Sequence, residues 1–195
     1  MSQRHKVFVS YHHANDQEYR EYFEEMFSDF HDVLIPQSVQ IGEIDTGLSD
    51  EKIRQIIRDD YLRDSTVTVV LIGSQTWQRK HVDWEIASSI RNTKRNPRSG
   101  LLGIILPSYK PQTRSLSIMD RILLKNAAND STTKYLDRTI PPRLADNIKC
   151  GYSKIYSWTN DPFEVQDWIH EAFESRHESK PNNSLRSFKQ NRSGK

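Results

Sequence analysis

A chain of 195 residues with 35% hydrophobic and 28% charged side chains holds one full core, not two. Its single cysteine, Cys150, excludes an intramolecular disulfide, and no apolar run approaches the roughly 20 residues that cross a bilayer. The formal charge of +2 is uneven: residues 176–195 carry six Lys or Arg against one acid, which leaves 22 basic and 25 acidic residues before them.

A mildly acidic body is therefore followed by a basic tail, and the tail contains Pro181-Asn182-Asn183 and little apolar material. Residues 178–195 are expected to be disordered, with a charge that needs no nucleic acid to explain it. With no apolar signal at the amino terminus, the body (residues 1–177) reads as a cytoplasmic domain without a membrane partner. Cys150, on the approach to a strand, reads as an inert, partly buried thiol.

The first strand is Lys6 to Ser10, whose Val7-Phe8-Val9 suits cover on both faces. Asn15 or Asp16 can cap a helix whose stripe, Tyr19, Tyr22, Phe23, Met26 and Phe27, keeps three-and-four spacing. Val33-Leu34-Ile35 is a short second strand that Pro36 ends or restricts to an edge. After a loop through Asp45, Ser49 is placed to cap a helix with Ile53, Ile56, Ile57 and Tyr61 on one side.

Thr66 to Ile72, β-branched almost throughout and ended by Gly73, is the strongest strand signal and belongs in the sheet centre. A third helix is expected from about His81 to Asn92, on Val82, Ile86 and Ile90, and Leu101 to Leu106 forms another buried strand. Periodicity fails between Tyr109 and Tyr152. This excursion, with a short helix near Ile118 to Lys125, is either a functional wall or an ordinary helix and strand that the pattern conceals. Ser153 to Ser157 is the last strand, and Asn160 or Asp161 caps the last helix with Pro162 in its first turn. Strands alternating with helices imply an α/β fold, flavodoxin-like, with a parallel sheet and helices on both faces; ligands then bind at the carboxyl ends of the strands.

There is no glycine-rich phosphate loop after the first strand, no HExxH and no CxxC, so no cofactor or metal is expected. What remains is polar residues at strand ends: Ser10, Tyr11 and His12 after the first, Asp45 in the second loop, Ser74 and Trp77 after the third, and Glu85 on the next helix. From the residues alone, Glu85 reads first as a helix amino-terminal preference, and Trp77 or Tyr11 first as packing.

The run Val7-Phe8-Val9-Ser10-Tyr11 resembles the first box of Toll/interleukin-1 receptor (TIR) domains. Val69 to Trp77, followed by His81-Val82-Asp83-Trp84-Glu85-Ile86, resembles their third strand and the helix after it. The combination, spanning about residues 5–175, is similar to the TIR proteins of the Thoeris antiphage system. The resemblance implies a TIR-type fold and cleavage of NAD+ as substrate at the nicotinamide–ribose bond, with Glu85 as the catalytic carboxylate. It further implies a cyclic ADP-ribose isomer as diffusible signal to a separate effector, a phage-derived activator, and self-association. Ser10, Tyr11, His12, Asp45, Ser74 and Trp77, at the strand ends, are the candidate substrate-binding positions beside Glu85. The chain departs from the commoner enzymatic pattern at Gln78, where a cysteine often follows the tryptophan, and at His12-His13.

The physical chemistry fits one carboxylate. Nicotinamide leaves neutral and needs no strong acid, while the ribose gains oxocarbenium character that a carboxylate stabilises. The competing reading is a non-enzymatic TIR-like interaction module in which Glu85 is structural. A phosphoacceptor domain fits poorly, because the first strand ends in Ser10 and His12 instead of the acidic cluster that holds Mg2+.

Overall fold

A computed structural model of the chain describes residues 5–28, 33–35, 47–110 and 117–193. Five strands, β1 (Lys6–Ser10), β2 (Val33–Ile35), β3 (Val67–Ile72), β4 (Gly100–Ile105) and β7 (Ser153–Ser157), form one parallel sheet in the order β2-β1-β3-β4-β7. The register places Val9 beside Val69, Val69 beside Leu102 and Gly103 beside Ile155. Parallel strands require crossovers, and the helices that make them cover both faces.

Alternate side chains along the strands sort into the two layers. Val7, Val9, Val67, Val69, Leu71, Leu102 and Ile104 pack under α1 (His13–Ser28) and α6 (Pro162–Glu178). Val70, Ile72, Leu101, Ile105 and Ile155 pack under α3 (Lys80–Ser89) and α5 (Pro142–Lys149). A third cluster joins Phe8 and Trp84 to Ile53 of α2 (Asp50–Ile56) and to Ile57 and Leu62 beyond it. The expected parallel neighbours beginning near Lys6, Thr66 and Leu101 are present, with Val69 and Ile104 buried.

The helix ends follow the sequence signals in part. Ser49 caps α2, its Oγ accepting Lys52 N–H at 3.2 Å. α2 then widens into a π-helical turn, Ile57–Tyr61, which turns the Arg58 guanidinium inward. There it donates to Leu62 O, Ser65 Oγ, Ser99 Oγ and Pro97 O, and burial pushes its pKa down to about 10.

The excursion between β4 and β7 has structure of its own. It holds α4 (Ile118–Ile122), a two-stranded antiparallel ribbon of β5 (Lys125–Asn126) and β6 (Lys134–Tyr135), and α5. Pro142, one of a proline pair that reads as loop, stands in the first turn of α5, where a missing N–H costs nothing. α5 conceals itself because Arg143 and Asn147 share its buried side with Leu144 and Ala145. Cys150 ends α5 and is exposed, not partly buried.

The sequence predicts a disordered tail from residue 178. Instead, α6 runs to Glu178 and residues 179–193 lie along the body as a strap. Asn147 bonds Asn182 through both its Nδ2 and its Oδ1, and Arg143 Nη1 donates to Asn183 Oδ1 at 2.7 Å. Arg54 donates to Leu185 O and Ser187 Oγ, and Arg192 N–H reaches Gln78 O at 2.8 Å. The reason is polar rather than hydrophobic. Buried Arg143, Asp83, Asn147 and Trp84 each need partners, and the strap supplies them.

Candidate active site

β1 delivers Ser10 to the carboxyl edge of the sheet, and α3 lays Glu85 across from it. Val82 and Ile86 hold α3 on the sheet, and this orientation buries Glu85 between them, at 1% exposure. Ser10 Oγ donates to Glu85 Oε2 at 2.5 Å. This hydrogen bond fixes the rotamer of the acid.

α3 has no side-chain cap of its own at Arg79. The strap provides one: Asn191 Oδ1 accepts Lys80 N–H at 3.1 Å. One turn further, the Trp84 indole N–H donates to Phe188 O at 2.8 Å and the Asp83 carboxylate accepts Phe188 N–H at 3.0 Å. Asp83 also pairs with Arg143, Nε to Oδ1 at 2.9 Å and Nη2 to Oδ2 at 3.3 Å, both side chains buried. The helix that carries Glu85 is thus fastened to β1 on its inner side and to α5 and the strap on its outer side.

Tyr11 is buried, stacks on His13 with ring centroids 4.5 Å apart, and donates from its hydroxyl to Gln17 Oε1. His12 is buried, and its carbonyl accepts the N–H groups of Asn15 and Asp16 at the start of α1. Ser74 Oγ donates to Ser108 O at 2.6 Å and accepts Lys110 N–H at 2.9 Å, which ties the loop after β3 to the loop after β4. Trp77 is half-buried, with the Arg192 guanidinium 5.5 Å above its ring. The structure joins Ser10 to Glu85 directly, and Asp45 lies outside the described residues.

Asp16 and His81, to which the sequence reading gave no place in the site, also belong to this edge. Asp16 does not cap α1. Its carboxylate turns inward and accepts from Thr76 Oγ1 and Ser108 Oγ, both at 3.2 Å. Burial raises its pKa, and those two bonds oppose the rise. A Cβ at Gly73 would collide with this carboxylate, which is why β3 ends in glycine. His81 stands one turn before Glu85, edge-on to Trp84 at 5.5 Å, and Arg79 precedes it. The four-residue spacing to Glu85 is the signal that could have found His81.

Burial governs the histidines, and neighbouring positive charge adds to it. Burial lowers His12 to about 4, with Arg79 and His13 adding to the shift. Burial lowers His81 to about 4 as well, reinforced by Lys80, His13 and Arg79. His13 is lowered by burial and by Arg20. At neutral pH these imidazoles are uncharged.

Among the described residues, three cavities lie elsewhere. One of about 810 Å3 is lined by Lys52, Asp59, Arg91 and Arg95. Two others, of about 380 and 340 Å3, flank Pro107 and Trp158 beyond the ends of β4 and β7. Glu85 lines none of the three. Among the described residues no cluster of His, Cys, Asp and Glu could hold a metal ion, and no helix is long and apolar enough to cross a membrane.

Residues 8–111, from β1 past the end of β4, match the family described as Thoeris protein ThsB, TIR-like domain. The chain belongs to that family. The match covers just over half of the sequence and includes Ser10, Asp16, His81 and Glu85. α5, β7, α6 and the strap fall outside the matched part of this ThsB TIR-like domain protein. No curated protein matches the chain.

Proposed function

We propose that this ThsB-family protein cleaves NAD+ at the nicotinamide–ribose bond, with Glu85 as the catalytic carboxylate, and makes a cyclic ADP-ribose isomer as a signal in antiphage defence. The observation that carries the reading is the buried Glu85 carboxylate, oriented by Ser10 at the carboxyl edge of a parallel sheet. In such sheets that edge is where ligands bind.

In the reaction the C1′–N bond breaks and its electron pair goes to nicotinamide, which neutralises the pyridinium charge. The ribose gains positive charge as the ring is left electron-poor. A carboxylate facing that ring stabilises it, and the low dielectric around Glu85 strengthens the interaction. A new bond then forms at C1′, from water in hydrolysis or from an atom of the same ADP-ribose in cyclisation, and the incoming nucleophile's proton passes to Glu85 or solvent. Exclusion of water favours the cyclic product. Trp77 offers an aromatic plane for a base; Tyr11, His12, Ser74 and Asp45 complete the substrate-binding set in this reading.

A carboxylate at 1% exposure has no room beside it for a ribose. In this reading a phage-derived activator or self-association opens the site to its substrate. The product then reaches a separate effector by diffusion through the cytoplasm.

The same burial favours a second reading, a TIR-like interaction module in which Glu85 braces β1 against α3. Incubating the purified protein with NAD+, with and without lysate of infected cells, and following products by mass spectrometry separates the two. Release of nicotinamide that Glu85→Gln abolishes supports the enzyme. No product above the lysate background from either protein supports the module, and equal products from both would remove Glu85 from the chemistry.

A further inference from the structure

The large apolar side chains that remain exposed among the described residues fall mainly in two places. Ile118, Met119 and Ile122 of α4 and the adjacent Leu123 are 81, 67, 71 and 59% exposed, and α4 buries none of its residues. The helix is nevertheless firmly built. Ser117 Oγ accepts Asp120 N–H at 3.1 Å, the Asp120 carboxylate accepts Ser117 N–H at 3.2 Å, and Arg138 pairs with Asp120 at 2.9 Å. Four aliphatic side chains thus stand in water on a fastened knob. Contiguous apolar surface of this kind marks an interaction site.

Of the other two exposed side chains, Tyr22, at 47%, lies at the second place, and Phe163, at 62%, stands outside its lining. Tyr22 lines the cavity of about 380 Å3 together with Tyr19, Pro107 and Trp158, and Glu18 and Asn160 complete its wall. Tyr19 and Tyr22 lean on the Trp158 ring at 5.6 and 6.0 Å, which makes the cavity aromatic and preformed. Phe163 follows Asn160 by three residues, in the first turn of α6.

We propose that α4 of one copy of this chain seats in the Tyr19–Tyr22–Trp158 cavity of a second copy. Knob and cavity are complementary in charge as well as in polarity. Arg121 is exposed on α4 among the apolar residues, whereas the Arg138 charge is taken by Asp120. On the receiving side, Glu18 lies in the cavity wall and Glu21 is exposed on α1 just beyond it. A chain that carries both halves of such a contact has its own copy as the fitting partner. Because the two surfaces differ, the contact either propagates head to tail or is made twice about a twofold axis. This inference rests on the self-association in the function proposed above. Its readout is mass, not turnover, so its failure would leave the role of Glu85 standing.

Sedimentation velocity on the full chain tests it. The wild-type protein is expected to associate with rising concentration, and Ile122→Glu, at a position where the fold buries nothing, to weaken that association about tenfold or more. Arg121→Glu and Glu18→Arg should each weaken it, and the two exchanges combined in one chain should restore it. The proposal is overturned by a chain that stays monomeric at the highest attainable concentration, by association that Ile122→Glu leaves unchanged, or by a double exchange that recovers nothing. It is equally overturned if the chain does not self-associate and phosphatidylserine vesicles instead bind the wild type and not Ile122→Glu.

Discussion

Replacing Arg143 with methionine tests how the Glu85 helix is held from outside. Arg143 is fully buried, and its guanidinium supplies two of the donors on the Asp83 carboxylate, at 2.9 and 3.3 Å, while Phe188 N–H supplies another at 3.0 Å. Without Arg143 that carboxylate remains buried with its counter-ion gone, and the strap loses the anchor at Asn183. Breaking a buried pair by removing one partner costs about 3–5 kcal/mol. For a domain of this size each kcal/mol lowers Tm by about 2–4 °C, so a drop of about 6–20 °C is expected in thermal unfolding followed by circular dichroism. Adding Asp83→Asn should recover part of the loss, because a neutral amide is cheaper to bury than an unpaired carboxylate. A single substitution costing less than about 1 kcal/mol would refute the reasoning, since that is the range of a solvent-exposed pair.

Truncation before Lys180 should lower stability by about 2–4 kcal/mol, from several buried hydrogen bonds at about 0.5–1.5 kcal/mol each; an unchanged urea midpoint would return the strap to the status of a dispensable tail. Stability should also fall as pH drops from about 6.5 towards 4. His12 and His81 are held near 4 in the folded protein, so the unfolded chain binds their protons first, and the penalty is complete once pH passes below the folded values. His12→Gln and His81→Gln together should flatten that decline in chemical denaturation across the pH range.

The sheet and its order of elements were legible because burial on both faces leaves runs such as Thr66 to Ile72, and because helices α1, α2 and α6 keep one apolar stripe each. Ser10 and Glu85 stand in the two segments of the motif, and their contact spans 75 residues, so only the fold makes it. What escaped was polar. Arg143 and Asn147 broke the apolar stripe of α5, and the strap follows buried donors and acceptors instead of hydrophobic surface, so its composition reads as disorder. Asp16 reads as a helix cap because acids favour that position; its inward turn depends on Thr76 and Ser108, which arrive from two later loops.

The central claim is that the charge of Glu85 drives bond cleavage. Glu85→Gln keeps the shape of the side chain and still accepts from Ser10 Oγ–H, so the fold should survive, and a matched melting profile must be recorded alongside. If stabilisation of the oxocarbenium-like state is worth about 3–5 kcal/mol, NAD+ turnover in the presence of infected-cell lysate should fall by about two to four powers of ten. Turnover of Glu85→Gln within a few-fold of wild type, at equal folded concentration, would contradict the account and leave Glu85 as a brace between β1 and α3.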